Sequence, residues 1–179
     1  MEKASPIKIV DVVWLILLAV LSLYIRWPAV HNPGFHNEDV AGITLNADLL
    51  INGLLPLVDN LEYKAPGAFF MSAIGWEVGG RSILTLQWMT FCLSIFSLLG
   101  MYVTARLFYG RRAGIAAALL YTILAPITDS MDANYGAWMI APYVWSFAAF
   151  ALAFKRGALR WLIVAGILLA IAGLMKRQA

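Results

Sequence analysis

Long apolar stretches alternate with short polar segments along most of the chain. A helix needs about 20 apolar residues to cross the hydrocarbon core of a membrane. Five stretches come close to or reach that length: residues 10–27, 82–108, 113–127, 137–154 and 159–175. A further segment, "APGAFFMSAIGWEV", is too short to cross and carries Glu77. The pattern predicts an all-α, polytopic membrane protein with about five transmembrane helices.

The spacing of these stretches predicts a single membrane module over residues 1–179. Residues 1–28 form the first helix, 29–81 an outer loop, and 82–179 four further spans. A cleaved secretory signal is the alternative for the first helix. Its apolar run is long, however, and no small-x-small cleavage site follows in "IRWPAVHNPG". We therefore expect an uncleaved first helix.

The outer loop has an amphipathic pattern of its own. Apolar side chains recur at helical spacing at Val40, Ile43, Ala47, Leu50 and Leu54. Polar side chains line another face at Thr44, Asp48 and Asn52. The pattern predicts a helix that lies along the membrane surface and closes at Gly53. A second short helix is predicted over residues 68–78, beside the first.

Composition and charge exclude several classes of protein. With 62% hydrophobic and 13% charged residues, the chain has too little polar surface to cover a soluble globule. The net charge of +3 comes from basic residues scattered singly or in pairs, so no basic face for nucleic acid forms. Cys92 is the single cysteine, which excludes an intrachain disulfide. Ionisable residues are almost absent from the spans, which argues against a transport path.

The basic residues predict an orientation in the membrane. If the N-terminus is cytoplasmic, "RLFYGRR" and "KRGALR" become short basic cytoplasmic loops, as the positive-inside rule favours. Most of the acidic residues then fall on the opposite face, together with the outer loop. We expect an acidic outer face.

Two short segments of the outer loop carry candidate chemistry. "NEDV" places the Glu38-Asp39 pair where the surface helix begins, and a helix N-terminus keeps a carboxylate ionised and oriented. The alternative is that Asp39 is only an N-cap. "YKAPG" supplies Lys64, which is either a functional cation or a residue that snorkels to lipid headgroups.

The order of motifs resembles a known family. The segments are "NEDV", "LLINGLLPLVDN", "EYKAPGAFF", "RLFYGRRAGIAAALL" and "GILLAIAGLMKRQA". In this order they resemble the N-terminal module of the C-type glycosyltransferases, the protein O-mannosyltransferase-like enzymes that use polyprenyl-phosphate sugars. The resemblance runs from the first helix to the final "KRQA", and the order of the motifs is more specific than any one of them.

The resemblance implies an inverting transfer of a hexose or pentose from a polyprenyl-phosphate donor to an acceptor hydroxyl on the extracytoplasmic face. Members carry an Asp-Glu pair ahead of a glycine like Gly53, which matches Asp39 as catalytic base. Because the pair is reversed here, Glu38 is the second candidate. The family's "KPPG" is matched by "KAPG", in which Lys64 offsets charge on the departing lipid phosphate.

Other polar residues extend the expected site. In relatives an acid of the second outer loop faces the same cavity, which points to Asp129 or Asp132; alternatively, both cap the next helix. Some relatives read A-N-x-E there, and Gly136 stands where that glutamate would be. Lys176 and Arg177 are expected to bind lipid phosphate or to anchor the last span at the membrane edge.

Metal dependence and partners complete the expectations. His31 and His36 flank a turn next to the acid pair, but this spacing is a weak metal signal, and no metal site is predicted. A divalent cation is used by some relatives. The expected partners are a polyprenyl-phosphate-linked sugar and membrane lipid, and the expected location is the bacterial inner membrane.

Length leaves a second interpretation open. Relatives have more spans and continue beyond "KRQA". The chain is therefore expected to be the N-terminal part of a longer fold, completed by a missing C-terminal segment or by other membrane subunits. The alternative is a catalytically inactive homologue that acts as a structural subunit of a larger membrane complex.

Overall fold

The computed structural model describes residues 7–32, 38–56, 58–59, 64–127 and 131–176. Seven α-helices form in these ranges: α1 (Ile9–His31), α2 (Glu38–Ile51), α3 (Gly67–Gly79), α4 (Ile83–Tyr109), α5 (Arg111–Leu124), α6 (Tyr135–Arg156) and α7 (Leu159–Met175). A 3-10 turn, Ala125–Ile127, follows α5. The prediction of an all-α fold is confirmed.

Three of the described helices are long and apolar enough to cross a membrane, namely α1, α4 and α6. The protein is therefore a helical polytopic membrane protein. For the other two predicted spans, α5 and α7, crossing of the membrane stays a prediction. The α7 helix has 17 residues and α5 has 14, against the ~20 that a perpendicular span needs. The α5 helix is short because Pro126 follows closely and cannot continue an α-helical hydrogen-bond ladder.

Local signals set the helix ends. The Ser82 hydroxyl accepts a hydrogen bond from Thr85 N, 3.1 Å away, and caps α4. At the end of α2, Gly53 has φ +79° and Leu54 N donates to Leu49 O at 2.9 Å, a Schellman closure that favours glycine. The predicted end of the surface helix at Gly53 is confirmed. Leu54, predicted as the last member of the apolar stripe, lies past this end and is exposed.

The long helices pack around a shared apolar core. The α4 helix contacts α1, α5 and α6, and α6 also packs along α7. One buried cluster joins α1, α4 and α5: Leu18, Leu98, Tyr102, Ala118, Tyr121 and Ala125. Large apolar side chains on α1 and α7 remain exposed, as expected where helices meet lipid. Helix packing thus accounts for the apolar side chains on the inner faces of the helices, and lipid contact accounts for those on the outer faces.

The direction of the helices defines two ends of the bundle. The α4 and α6 helices run parallel, because Trp138 Nε1 donates to Thr90 Oγ1 (2.8 Å) and Thr104 Oγ1, further along α4, donates to Val144 O (3.2 Å). Both helices end where α1 begins, and we call this the basic end. Arg156 closes α6 there. The opposite end, where α2 and α3 pack, is called the site end.

An ion-pair cluster ties the basic end together. Asp11, in the first turn of α1, is fully buried and accepts a hydrogen bond from Lys8 N at 3.0 Å. Its carboxylate also accepts from Arg106 of α4 (3.4 Å) and from Arg111 of α5. One acidic side chain therefore connects three helices.

The surface helices α2 and α3 form a pair that packs on the bundle. On α2, Val40, Ile43 and Ala47 are fully buried and Leu50 is partly buried, which confirms the core of the predicted apolar stripe. Thr44 was expected on the polar face but is buried. Burial is permitted because its hydroxyl donates to the carbonyl of Val40 at 3.0 Å.

The apolar face of this pair lies against the ends of three other helices. The shared cluster consists of Ile43, Ala68, Phe69, Leu86, Ala133, Tyr135, Ala137, Trp138 and Met175. These residues come from α2, α3, the start of α4, the loop before α6, the start of α6 and the end of α7. The outer loop is therefore a packed layer that places its polar residues over the ends of α6 and α7.

Candidate active site

Asp39 lies at the first turn of α2, at the site end. The helix begins at Glu38, so Asp39 lies one residue inside it and is not the N-cap that one interpretation expected. The carboxylate still benefits from the positive end of the helix dipole. Glu38 is exposed at the first position of the helix, whereas Asp39 is turned toward the segment that leads into α3.

Lys64 lies two residues before Pro66, the N-cap of α3, and forms an ion pair with Asp39. The two residues are 25 positions apart in sequence, so the fold of the outer loop brings them together. The Lys64 side chain is 39% and the Asp39 side chain 37% exposed, which leaves the pair within reach of a substrate. An ion pair this exposed contributes little to stability. The stability of the fold therefore does not depend strongly on the Asp39–Lys64 ion pair.

Tyr135, at the start of α6, is the third member of this group, and sequence reasoning missed it. Lys64 Nζ lies 5.1 Å from the centroid of the Tyr135 ring, a cation–π contact. Phe69 packs against this ring edge to face, with ring centroids 6.0 Å apart. The signal in sequence was the aromatic residue in "ANYG", directly after the helix cap Asn134.

A close approach of α3 to α7 brings Lys176 to the same end. A β-carbon at Gly67 would overlap the backbone carbonyl of Leu174, so the start of α3 touches the end of α7 without a side chain between them. Lys176 follows α7, and its Nζ lies 3.5 Å from the place that a β-carbon of Gly136 would take. Lys64 and Lys176 therefore flank the first turn of α6.

The second outer loop contributes Asp132 near this turn. Its side chain accepts a hydrogen bond from Gln87 Nε2 of α4, at 3.4 Å. The helix cap is Asn134, whose Oδ1 accepts from Ala137 N at 2.9 Å, so Asp132 does not cap α6. Asp129 and Arg177 lie outside the residues that the structure describes.

The described residues do not assemble a metal site. Within them, no three His, Cys, Asp or Glu side chains come together. His31 stacks on Trp27 instead, with ring centroids 5.8 Å apart. His36 lies outside the described residues.

This arrangement places a proton acceptor beside fixed cations at one end of a membrane bundle. A carboxylate can take a proton from a hydroxyl group within hydrogen-bond reach. Ammonium groups near the membrane boundary can stabilise a phosphate that gains charge as its ester bond breaks. The Asp39–Lys64 ion pair places the proton acceptor directly beside one of these ammonium groups.

Comparison with known proteins identifies the chain at the level of family. The model of the dolichyl-phosphate-mannose-protein mannosyltransferase family matches residues 63–179, from the residue before Lys64 through the last span. Asp39 and α1 precede the matched range. No curated protein and no solved structure matches the chain. Since the family match covers well over half of the chain, the protein belongs to the dolichyl-phosphate-mannose-protein mannosyltransferase family.

Proposed function

We propose that the protein is an inverting glycosyltransferase module that moves a sugar from a polyprenyl-phosphate donor to an acceptor hydroxyl. The observation that carries the proposal is the Asp39–Lys64 pair, which joins a carboxylate to a cation next to the first turn of α6. Family membership supports a polyprenyl-phosphate sugar as donor. The family's description names mannose, which makes it the first sugar to test among hexoses and pentoses.

Asp39 is the general base of the proposed reaction. The acceptor oxygen bonds to the anomeric carbon as its proton passes to the Asp39 carboxylate. The bond between the anomeric carbon and the phosphate oxygen breaks, and the bonding electrons leave with the lipid phosphate. A single displacement of this kind inverts the anomeric centre. Glu38, exposed beside Asp39, is the alternative base.

Lys64 and Lys176 receive the lipid phosphate, with Arg177 as a further proposed contact. Both lysines flank the first turn of α6, so a phosphate there meets two positive charges. A phosphate on Lys64 competes with Asp39 for the same ammonium group. Donor binding thus weakens the ion pair and leaves the Asp39 carboxylate available to the acceptor.

The proposed location is a bacterial inner membrane with the site end on the extracytoplasmic face. The clustering of Lys8, Arg106, Arg111 and Arg156 at the basic end supports this orientation, because cytoplasmic ends carry an excess of basic residues. With the N-terminus in the cytoplasm, the site end meets polyprenyl-phosphate sugars that have been flipped across the membrane.

The test is sugar transfer by the purified protein, assayed in lipid with polyprenyl-phosphate mannose and an acceptor peptide or glycan. Asp39→Asn should lower kcat by about 100-fold or more, since a general base contributes ~10²–10⁴-fold. Lys64→Gln should raise the KM for the donor. A product of retained anomeric configuration would contradict the single displacement.

Asp48→Asn is the matched control for Asp39→Asn. Asp48 lies on the same helix and forms its own exposed ion pair, with Arg81 at 3.0 Å, away from Tyr135. The control variant should keep its activity within about twofold, since surface ion pairs contribute little. Equal losses of transferase activity in the two variants would show that the acidic side chains of α2 are needed only for folding. Asp39 would then not be the general base.

A further inference from the structure

Gly136 is a glycine that neither helix propensity nor backbone conformation explains. It lies in the first turn of α6, directly after Tyr135. Glycine is a poor helix former, because its backbone loses more conformational freedom than that of alanine when a helix forms. The φ angle of Gly136 does not fall in the left-handed region, in which other glycines of the chain, such as Gly53, lie. The space around position 136 is therefore the remaining reason for glycine.

Two polar atoms border the place that a side chain at position 136 would occupy. A β-carbon there would lie 3.3 Å from Asn134 Oδ1 and 3.5 Å from Lys176 Nζ. The Asn134 oxygen is fixed, because it caps α6 by accepting a hydrogen bond from Ala137 N at 2.9 Å. A branched side chain such as valine, with two further carbons beyond the β-carbon, would compete with the lysine ammonium group for this volume. Glycine keeps the volume open for Lys176.

Lys176 reaches this volume from a different helix. The α6 and α7 helices pack along each other, and the end of α7 lies beside the start of α6. Lys176 directly follows Met175, the last residue of α7, and its backbone N–H donates to Ala172 O at 3.2 Å. The backbone of Lys176 is thus held by α7, while its side chain extends to the first turn of α6.

Attraction to a protein carboxylate does not hold the lysine there. Among the described residues, Lys176 forms no ion pair. Its ammonium group lies near the start of α6, where the positive end of the helix dipole disfavours a cation. Lys64 adds a second positive charge on the neighbouring Tyr135 ring. The packing of α7 on α6 and the open volume over Gly136 therefore determine where this ammonium group lies.

We propose that Gly136 is a positioning residue for Lys176, because its missing side chain leaves the volume in which the lysine ammonium group approaches the first turn of α6. Its role in binding rests on the proposed function, in which the anion that meets Lys176 and Lys64 is the lipid phosphate of the donor. A side chain at position 136 that displaces Lys176 should lower the affinity for this phosphate, although it removes no charge from the protein.

The contact between position 136 and Lys176 is tested without any substrate. In Gly136→Asp, a water-soluble carbodiimide activates the introduced carboxyl group, and the Lys176 amine displaces the carbodiimide as a urea to form an amide bond. Peptide mass spectrometry of the purified protein should find residues 136 and 176 cross-linked. The Asp39–Lys64 ion pair should be coupled in the same sample and is the positive control. Gly136→Asp/Lys176→Arg should lose the first product and keep the second, because a guanidinium group does not react.

The role of Gly136 in phosphate binding is measured with polyprenyl phosphate and the purified protein. Lys176→Gln removes one interfacial charge and should weaken binding about fivefold. Gly136→Val should weaken it to a similar extent, because the displaced ammonium group no longer reaches the phosphate. Gly136→Val/Lys176→Gln should bind no more weakly than Lys176→Gln alone, since both changes remove the same contact. Gly166→Val is the size control: a β-carbon there has open space around it, and binding should stay within about twofold of wild type.

The two experiments separate this inference from the proposed function. Losses of affinity that add up in the double variant would show that position 136 acts independently of Lys176, and would overturn the inference. A missing cross-link between residues 136 and 176, beside a normal Asp39–Lys64 product, would also overturn it and would leave the proposed function standing. If the cross-link forms but the wild-type protein does not bind polyprenyl phosphate, the proposed donor site is contradicted and the position of Lys176 over Gly136 is confirmed.

Discussion

Tyr135 shows how a single aromatic ring can set the position of a charged side chain. The ring is buried against Phe69 and offers its face to Lys64. A lysine side chain has several rotatable bonds, and an ordered contact for its ammonium group reduces the number of conformations that must be lost when a phosphate binds. Tyr135 is thus a positioning residue for Lys64.

We expect Tyr135→Leu to weaken lipid-phosphate binding by about two- to fivefold, the equivalent of ~0.5–1 kcal/mol for a partly exposed cation–π contact. Tyr135→Phe keeps the ring face and should bind within about twofold of wild type. Binding of polyprenyl phosphate to the full-length protein measures both. If the phenylalanine variant loses as much affinity as the leucine variant, the hydroxyl and not the ring is the part that matters.

At the scale of elements, the contact between α3 and α7 determines where the lysines lie. Gly67 touches the backbone at Leu174. Lys64 lies just before Gly67 in the sequence and Lys176 just after Leu174, so this contact fixes the positions of both lysines. Any side chain at Gly67 must push the two helices apart. Glycine is required at position 67 because no side chain fits there. Its backbone angles are ordinary and do not by themselves call for glycine.

Gly67→Ala should therefore lower both donor affinity and thermal stability. Its β-carbon would overlap a backbone carbonyl, which cannot rotate away as a side chain does. Gly166→Ala on α7 is the control, because a β-carbon there has open space around it. It should leave stability unchanged or raise it slightly, since alanine favours a helix by about 0.5–1 kcal/mol over glycine. Similar melting temperatures for the two variants would contradict the close contact.

The Asp11 cluster acts at the same scale, at the opposite end of the bundle. Asp11→Asn should lower the melting temperature in detergent by several degrees, because Arg106 and Arg111 lose the carboxylate that they share. Glu77→Gln removes an exposed acid from α3 and should have no measurable effect. An unchanged melting temperature in Asp11→Asn would show that α1 is held by its apolar contacts alone.

Periodicity predicted the elements well, and for physical reasons. Apolar runs and helix caps are local properties, so the bounds of α4, α6 and α7 were within a few residues of the prediction. The surface pair was also predicted, together with the closing glycine, Gly53. The end of α5 was predicted too late in the sequence, because the apolar run continues past the helix end, through Pro126.

The site was predicted only in part, because its contacts join distant segments. Asp39 and Lys64 were both named as candidates, but nothing local indicates that they form an ion pair. Tyr135 and Gln87 were missed because their roles depend on the packing of α6 against α3 and α4. The residue type alone does not show which tyrosine faces a lysine. The catalytic roles of Asp39, Glu38 and Asp132 stay predictions until they are tested.

At the scale of the whole molecule, the two ends of the bundle differ in chemistry. The basic end gathers arginines around Asp11 and Trp161, while the site end gathers the carboxylates of α2 and the second outer loop. This asymmetry predicts a single orientation in the membrane, with the basic end in the cytoplasm.

Thiol labelling with a membrane-impermeant reagent checks the orientation. Cys92 is exposed on α4 and must first be changed to serine. In that background, Val58→Cys in the exposed outer loop should react in intact cells. Lys155→Cys, at the basic end, should react only after the membrane is permeabilised. The reverse pattern would place the proposed active site in the cytoplasm and contradict a donor presented from outside.

The two ends of the α6 helix carry different cation–π contacts. At one end Tyr135 backs Lys64, and at the other Arg156 faces Trp161. Its length of about 33 Å is close to the thickness of a bilayer's hydrocarbon core. In a thinner or thicker bilayer, α6 must tilt or the bilayer must adapt to it, and either change alters the depth of Asp39 relative to the lipid surface.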